Sequence, residues 1–258
     1  VSSVDIISVT RNNLDGIRRT VESTAKIWKI AATEGMTVTQ RVIDSSDQPV
    51  ASEVAELVHS RDGNYQYVFQ SPSGISAAFN MGINDSTADW IWMLNGGDEL
   101  LPNAPLRLLF DILQRTGSEV VIFSGSNRGI RQHTPALAKL WPIVYCWIMH
   151  NATLVRRETM LEFGNYREDF KIAMDAELWI RMFGYYKRAD VIDIPLINFE
   201  GGGISDDVLG RAPESVRMLW DNKRLLYSRM FDYPKICWEA WRSYRRNEKA
   251  LRERTRSR

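Results

Sequence analysis

The chain has little cysteine: two residues, Cys146 and Cys237, in 258. Two thiols make neither a disulfide framework nor a cysteine-rich zinc cluster, and they point to a reducing compartment. Long hydrophobic runs are also missing. The longest, Leu140 to Met149, has ten residues and contains Pro142, whereas a spanning helix needs about twenty. The N-terminus enters a strand pattern without the basic and apolar regions of a signal peptide, so a cytoplasmic location is expected. Neither GxGxxG after the first strand nor GxxxxGK[ST] anywhere occurs, which disfavours a dinucleotide fingerprint and a P-loop. Charge of one sign is not in excess, with 33 Lys and Arg against 32 Asp and Glu. The balance conceals a basic end. Arg242 to Arg258 carries eight basic and two acidic residues, a local +6 that leaves −5 on the remainder. Such an end suits an anionic membrane surface, or else frays in solvent. No known nucleic-acid motif appears, and a nucleic-acid partner is not expected.

What is present reads as alternating strands and helices. Val4 to Val9, Val38 to Asp44, Tyr65 to Phe69, Trp90 to Leu94 and Glu119 to Ser124 are short runs of strand formers. Between them, Leu14, Ile17, Val21, Ala25 and Trp28, then Val50, Val54, Leu57 and Val58, then Ile75, Phe79 and Ile83 recur at helical spacing, and a further helix covers Pro102 to Arg115. This order predicts an α/β fold: a mostly parallel sheet with helices on both faces. Asn127 to Trp141 has no clean period. Ala152 to Val155 reads as a strand, Glu158 to Phe163 and Asp175 to Phe183 as helices, and Val191 to Phe199 as an extended segment interrupted by Pro195. Helices over Glu214 to Met230 and Ile236 to Arg254 close the chain, so we expect a domain over 1–205 and a basic helical extension over 206–258.

Ligands of such folds bind at the carboxyl ends of the strands. Four exits therefore matter: Thr10-Arg11-Asn12, Asp44 to Asp47, Ser71 to Gly74, and Asn95-Gly96-Gly97-Asp98. Asp44 can accept hydrogen bonds from a base or ribose, or bond its own turn. Ser73-Gly74 opens a helix of small residues, where phosphate can approach N–H groups or Ser73 can cap. Asp98 offers a hard oxygen to Mg²⁺ or Mn²⁺, though Asn-Gly is also a hairpin signal. Asp175 shares a helix face with Leu178, Trp179 and Met182, which should desolvate it and suit it to general-base work or to capping. Glu177 faces Arg181 at i+4, the spacing of a surface ion pair. His150 follows the aromatic run LWPIVYCWIM, as a ligand or as a structural histidine.

The segments IISVTRNN, VIDSSDQ, GISAAFNMGI, WIWMLNGGDELLP, HNATLVRRE, FKIAMDAELWIRM and FEGGGIS, in this order over about Val4 to Ile204, resemble family 2 glycosyltransferases of the GT-A fold. The resemblance implies a nucleotide pocket lined by Thr10, Arg11, Asn12 and Asp44, and a diphosphate near Ser73, Gly74, Ala78, Asn80, Asn95, Gly96 and Gly97. It also implies a divalent metal (Mn²⁺ or Mg²⁺) at Asp98. His150, Arg156, Glu177 and Trp179 would lie near acceptor and diphosphate, and Asp175 would be the catalytic base. The implied partners are a nucleoside diphosphate sugar and a glycan or lipid-linked acceptor, joined by inverting transfer. Two departures stand out. Asn95 and Gly97 occupy the acid positions of the family's DxD motif, and Phe79 stands where many members carry arginine, so Arg11, Arg156 or Arg157 must supply the positive charge. The first departure also supports an alternative, a catalytically silent domain that binds a nucleotide sugar or a partner in polysaccharide assembly.

Overall fold

A computed structural model describes residues 2–127, 130–132, 148–184, 189–199 and 208–224. Strands β1 (Ser3–Thr10), β2 (Thr37–Asp44), β3 (Tyr65–Phe69) and β4 (Trp90–Asn95) pair in parallel in the order β3-β2-β1-β4. Each is followed by a helix or a turn leading to one: α1 (Leu14–Thr24) with α2 (Ile27–Thr33), α3 (Val50–His59), α4 (Ile75–Asp85), and α5 (Leu106–Arg115) after the short β5 (Glu99–Leu100). The helix expected across Leu14 to Trp28 is two helices. Thr24 turns its hydroxyl onto the carbonyls of Thr20 and Val21 and onto Gln40 Oε1, ending α1 before Trp28, which packs on Tyr65.

Beyond β4 the sheet departs from simple sequence order. Strand β6 (Val120–Asn127) does not join β4. Instead β8 (Thr153–Arg156) inserts between them, antiparallel to both, after the short β7 (Ile130–Gln132) has paired with β6. Next to β6 comes β9 (Ala189–Phe199), parallel to it, and the short β5, antiparallel to β9, ends the sheet. Pro195 does not interrupt β9. It falls opposite Ser124, where the register shifts, and this irregularity accommodates a residue that has no N–H. The antiparallel ladders are two or three residue pairs long, so parallel pairing dominates.

Strand alternation sorts side chains onto two faces. Ile7, Val9 and Met93 pack with Phe79 and Ile83 of α4 and with Leu178, Trp179 and Met182 of α7 (Met174–Gly184). Val4, Ile6, Trp90 and Trp92 pack on the other face with Ile27 of α2 and Leu109 and Phe110 of α5. Helix α6 (Arg157–Glu162) follows β8, and α8 (Val208–Asp221) lies beyond β9. The helix expected over Ile236 to Arg254 and the FEGGGIS segment after Phe199 lie outside the described residues, as does Leu140 to Met149 up to Cys146-Trp147.

Candidate active site

The exits of β1, β2 and β4 are bonded into one surface. Ser45 N–H donates to Thr10 O and Gly96 N–H to Val9 O. Asn12, in the left-handed region at φ 52°, donates its N–H to Ser46 Oγ and exchanges side-chain and backbone bonds with Asp47. Asn13 caps α1 through Gly16 N–H and reaches across to Gly96 O. Gly96 leaves so little room that an added Cβ would stand 3.1 Å from Thr10 Oγ1. Gly97, at φ +116°, faces open space. Thr10 is buried and Arg11 and Asn12 are exposed.

Asp44 is buried, with its carboxylate engaged. Oδ1 accepts from the N–H and hydroxyl of Ser46 and Oδ2 from Tyr67. Burial and the Asp44 charge push the Tyr67 phenol up to about 12, so the phenol keeps its proton. At the third exit the N-cap of α4 is Gly74, at φ 105° and without a side-chain cap, rather than Ser73, which accepts from Gln70 instead. The first N–H groups of α4 therefore lack a side-chain partner at its N-terminus, a favourable place for phosphate. Ala78 is buried one turn in. Asn80 turns its amide away onto Tyr166, donating to the carbonyl and accepting from the N–H.

Asp98 closes a turn onto Asn95 O instead of a hairpin, since β5 pairs with β9. Its carboxylate, 6% exposed, accepts from Asn95 N–H and Nδ2 on one oxygen and from Asn151 Nδ2 on the other. Burial outweighs these bonds and pushes Asp98 up to about 6. Glu99 is paired with Arg19 at 3.0 Å. The expected metal loop thus offers one carboxylate, already surrounded by N–H donors. Among the described residues no three His, Cys, Asp or Glu are placed to share an ion. Asp98 would be the one carboxylate to hold a divalent ion here, with substrate phosphate oxygens completing its shell.

His150 stands in a single 3-10 turn (His150–Ala152) before β8, next to the asparagine that holds Asp98. Its Nε2 lies 2.6 Å from the hydroxyl of Tyr166. Phe79, in the place of the missing arginine, packs edge-on against His150 and at a tilt against Tyr166. Burial pulls the imidazole below its ordinary value while Asp175 pushes it back. Burial and then Asp175 hold the Tyr166 phenol well above its usual range. Asp175, half-buried at the start of α7, lies near enough for its charge to act on both. Tyr166 and Asn151 had no periodic signal in the sequence. The only local hint of Tyr166 is the Gly164-Asn165 turn, both at positive φ, that delivers it.

Four other candidates are held by their surroundings away from the strand exits. Glu177 is not a surface group: it is fully buried, chelating Arg181, because the 163–167 segment folds over it and takes the same guanidinium on the carbonyls of Phe163 and Asn165. Trp179 is fully buried in the core. Neither side chain is exposed to an acceptor. Arg156 lies at the opposite end of β4, stacked over Trp90 at 4.4 Å. Arg157 bonds the carbonyls of Ile83 and Asn84 at the far end of α4. Of the three arginines, Arg11 alone stands at the strand exits.

The model of glycosyl transferase family 2 matches residues 5–183, from β1 through the helix that carries Asp175. The chain belongs to glycosyl transferase family 2. Solved structures with the same GT-A fold include TarS 1-349 from S. aureus in complex with UDP, at 14% identity and a TM-score of 0.65, over 90% of this chain and 66% of that one. The mannosyltransferase PcManGT from Pyrobaculum calidifontis, in complex with GDP-Man and Mn²⁺, is 17% identical with a TM-score of 0.65, over 92% and 69% of the two chains. The chain spans 37% of the longer TarS chain. No curated protein matches. In this family 2 chain, a face of strand exits, an open helix N-terminus and a half-buried acid near a histidine and a tyrosine occur together, an arrangement able to hold a phosphorylated donor and accept a proton.

Proposed function

We propose that the chain transfers a sugar, with inversion, from a nucleoside diphosphate sugar to a hydroxyl of a glycan or lipid-linked acceptor. The observation that carries this reading is Asp175, a half-buried carboxylate at the N-terminal edge of α7 whose charge acts on both His150 and Tyr166, in a chain of family 2. The nucleoside would lie over Thr10 to Asn12 and the Asp44 turn, whose backbone is held by the Ser46 and Tyr67 bonds to Asp44. The diphosphate would face the N-terminus of α4 and the open backbone at Gly96-Gly97, with Arg11 as the nearby cation. Asp175 takes the proton of the acceptor hydroxyl as its oxygen attacks the anomeric carbon. The bond from that carbon to the phosphate oxygen breaks on the opposite face, and the nucleoside diphosphate leaves with the electron pair. N–H donors aimed at the departing oxygens stabilise the charge. The mannosyltransferase neighbour holds Mn²⁺, but here Asp98 is occupied by Asn95 and Asn151, and no step is routed through a metal.

The substitution that tests this is Asp175→Asn. A general base contributes about 10²–10⁴-fold, so transfer should fall at least a hundredfold with donor binding nearly intact. Glu177→Gln, which disturbs a buried ion pair, should lower stability. Little loss in Asp175→Asn and a large specific loss in Glu177→Gln would identify the wrong acid. The occupied Asp98 favours a second reading, a silent nucleotide-sugar-binding domain. Absence of nucleotide release from UDP-GlcNAc and GDP-mannose, with and without Mn²⁺, in a wild type that binds either one would select it.

A further inference from the structure

Helix α8 lies beyond residue 183, where the family match ends, yet it reaches the segment that delivers the acid. Glu214 inserts its carboxylate into three consecutive backbone N–H groups just ahead of α7. Oε1 accepts from Lys171, and Oε2 from Ile172 and Ala173, each at 2.8 Å. Asp175 follows two residues later. Ala173 immediately precedes α7, and its N–H is one of those that a helix start leaves without an intrahelical partner, while Lys171 and Ile172 form the turn that leads into it. Burial pushes the Glu214 carboxyl up, but the three N–H bonds and then Arg217 outweigh it and hold it below its ordinary value.

The same segment is gripped from both sides. Arg167 and Arg217 stand over the Phe170 ring, at 4.7 and 5.0 Å. Arg217 also pairs with Asp169, and Arg167 with Asp221 of α8. From the opposite side Ser76, in the first turn of α4, donates to Phe170 O. The chain between Arg167 and Met174 is therefore fixed between the helix that faces the diphosphate and a helix outside the matched region.

We propose that Glu214 is a positioning residue for Asp175, and that docking of α8 through this carboxylate sets the place of the base. The inference rests on the reading of Asp175 as the base. Removing Glu214 leaves three N–H groups to water and loosens the turn that aims Asp175. A displacement of about 1 Å costs up to a hundredfold in rate, without a direct contact between Glu214 and substrate.

The test uses full-length Glu214→Ala and Glu214→Gln, the latter keeping one acceptor oxygen and the side-chain shape. Amide exchange at 171–173 is followed by NMR, and nucleotide release from UDP-GlcNAc and GDP-mannose is measured alongside donor affinity, with and without added formate. The expected result is exchange at least roughly tenfold faster and a fall in kcat of roughly ten- to a hundredfold in the alanine variant, smaller effects in the glutamine variant, and donor affinity unchanged. Formate, filling the vacated cradle, should restore both protection and rate. A residue that only supports the fold would lose donor affinity and kcat together and would not be rescued. Unchanged exchange, or faster exchange with unchanged kcat, overturns the proposal. Exchange reads the brace without turnover. A wild type inert toward both donors therefore overturns the functional reading and the catalytic half of this proposal, while exchange still decides the brace.

Discussion

Two acids two residues apart on α7 have opposite fates, and the cause is what covers them. Asp175 belongs to the apolar face but sits at its N-terminal edge, so it stays half-open. Glu177 lies under the 163–167 segment and is held by Arg181. Asp98 shows the same dependence on neighbours, because Asn151, distant in sequence, occupies its outer oxygen. Burial raises Asp98 from 3.8 to about 6, and this has a consequence for stability. Between these values the folded state binds the proton more tightly than the unfolded chain, so the contribution of Asp98 falls as pH rises through that window. At about 1.4 kcal/mol per unit the ionisation penalty is on the order of 3 kcal/mol, fully present above pH 6. Asp98→Asn removes it. Urea unfolding of wild type and variant should therefore show a stability difference that moves in favour of the variant from about pH 4 to pH 6 and is flat above. A difference independent of pH would show that Asp98 does not titrate there.

At the scale of elements, α4 organises the site because it packs closely on β1. Gly82 makes that approach possible: a Cβ there would stand 2.5 Å from Ile7 Cγ2, and Ile7 is fully buried. Gly82→Ala gains about 1 kcal/mol of helix propensity against an overpacking cost of about 1–3 kcal/mol. Overpacking should win because Ile7 has nowhere to move, and the variant should lose about 1 kcal/mol net. Chemical denaturation measures it, and a more stable variant would mean that α4 can shift. Strands β1 and β4 were readable because they are buried on both faces, and β2 and β3, with more open positions, because of their strand-forming residues. The place of β8 between β4 and β6 was not. An edge or central position depends on which ladder a short strand completes, and four residues carry no pattern that specifies it.

The whole molecule presents an exposed apolar patch on the outer side of α8, away from Glu214. Val216 and Trp220 are 69% and 68% exposed, Leu219 lies beside them, and the Lys223 ammonium stands over the Trp220 ring. Aromatic rings favour the membrane interface, and each basic residue near an anionic leaflet contributes about 1 kcal/mol. Together with the +6 end of the sequence, this is the surface through which we propose that the protein attaches to an anionic membrane. No helix among the described residues is long and apolar enough to cross a membrane. The protein should float with anionic vesicles at low salt, less so at high salt or after Trp220→Ala, and not after deletion of Arg242 to Arg258. A protein left in the soluble fraction at low salt removes the membrane proposal. Ile236, Trp238, Trp241 and Tyr244, the aromatic part of that end, lie outside the described residues.

Sequence by itself determined the class of fold, the strand exits that carry polar residues, and the two acids worth weighing, because periodicity and turn chemistry are local. It also fixed which acids the loop after β4 lacks. Tertiary structure decided which of the candidates face the same space. Arg156 and Arg157 left the site because the strand and helix that hold them run to the far end of the sheet. Asn80 turned inward because Tyr166 arrived with an unpaired backbone. Glu177 was enclosed by a segment that no local pattern marked as its cover. Tyr166 and Glu214 entered because a phenol and a carboxylate find partners by through-space geometry, which a linear pattern of apolar and polar residues does not record.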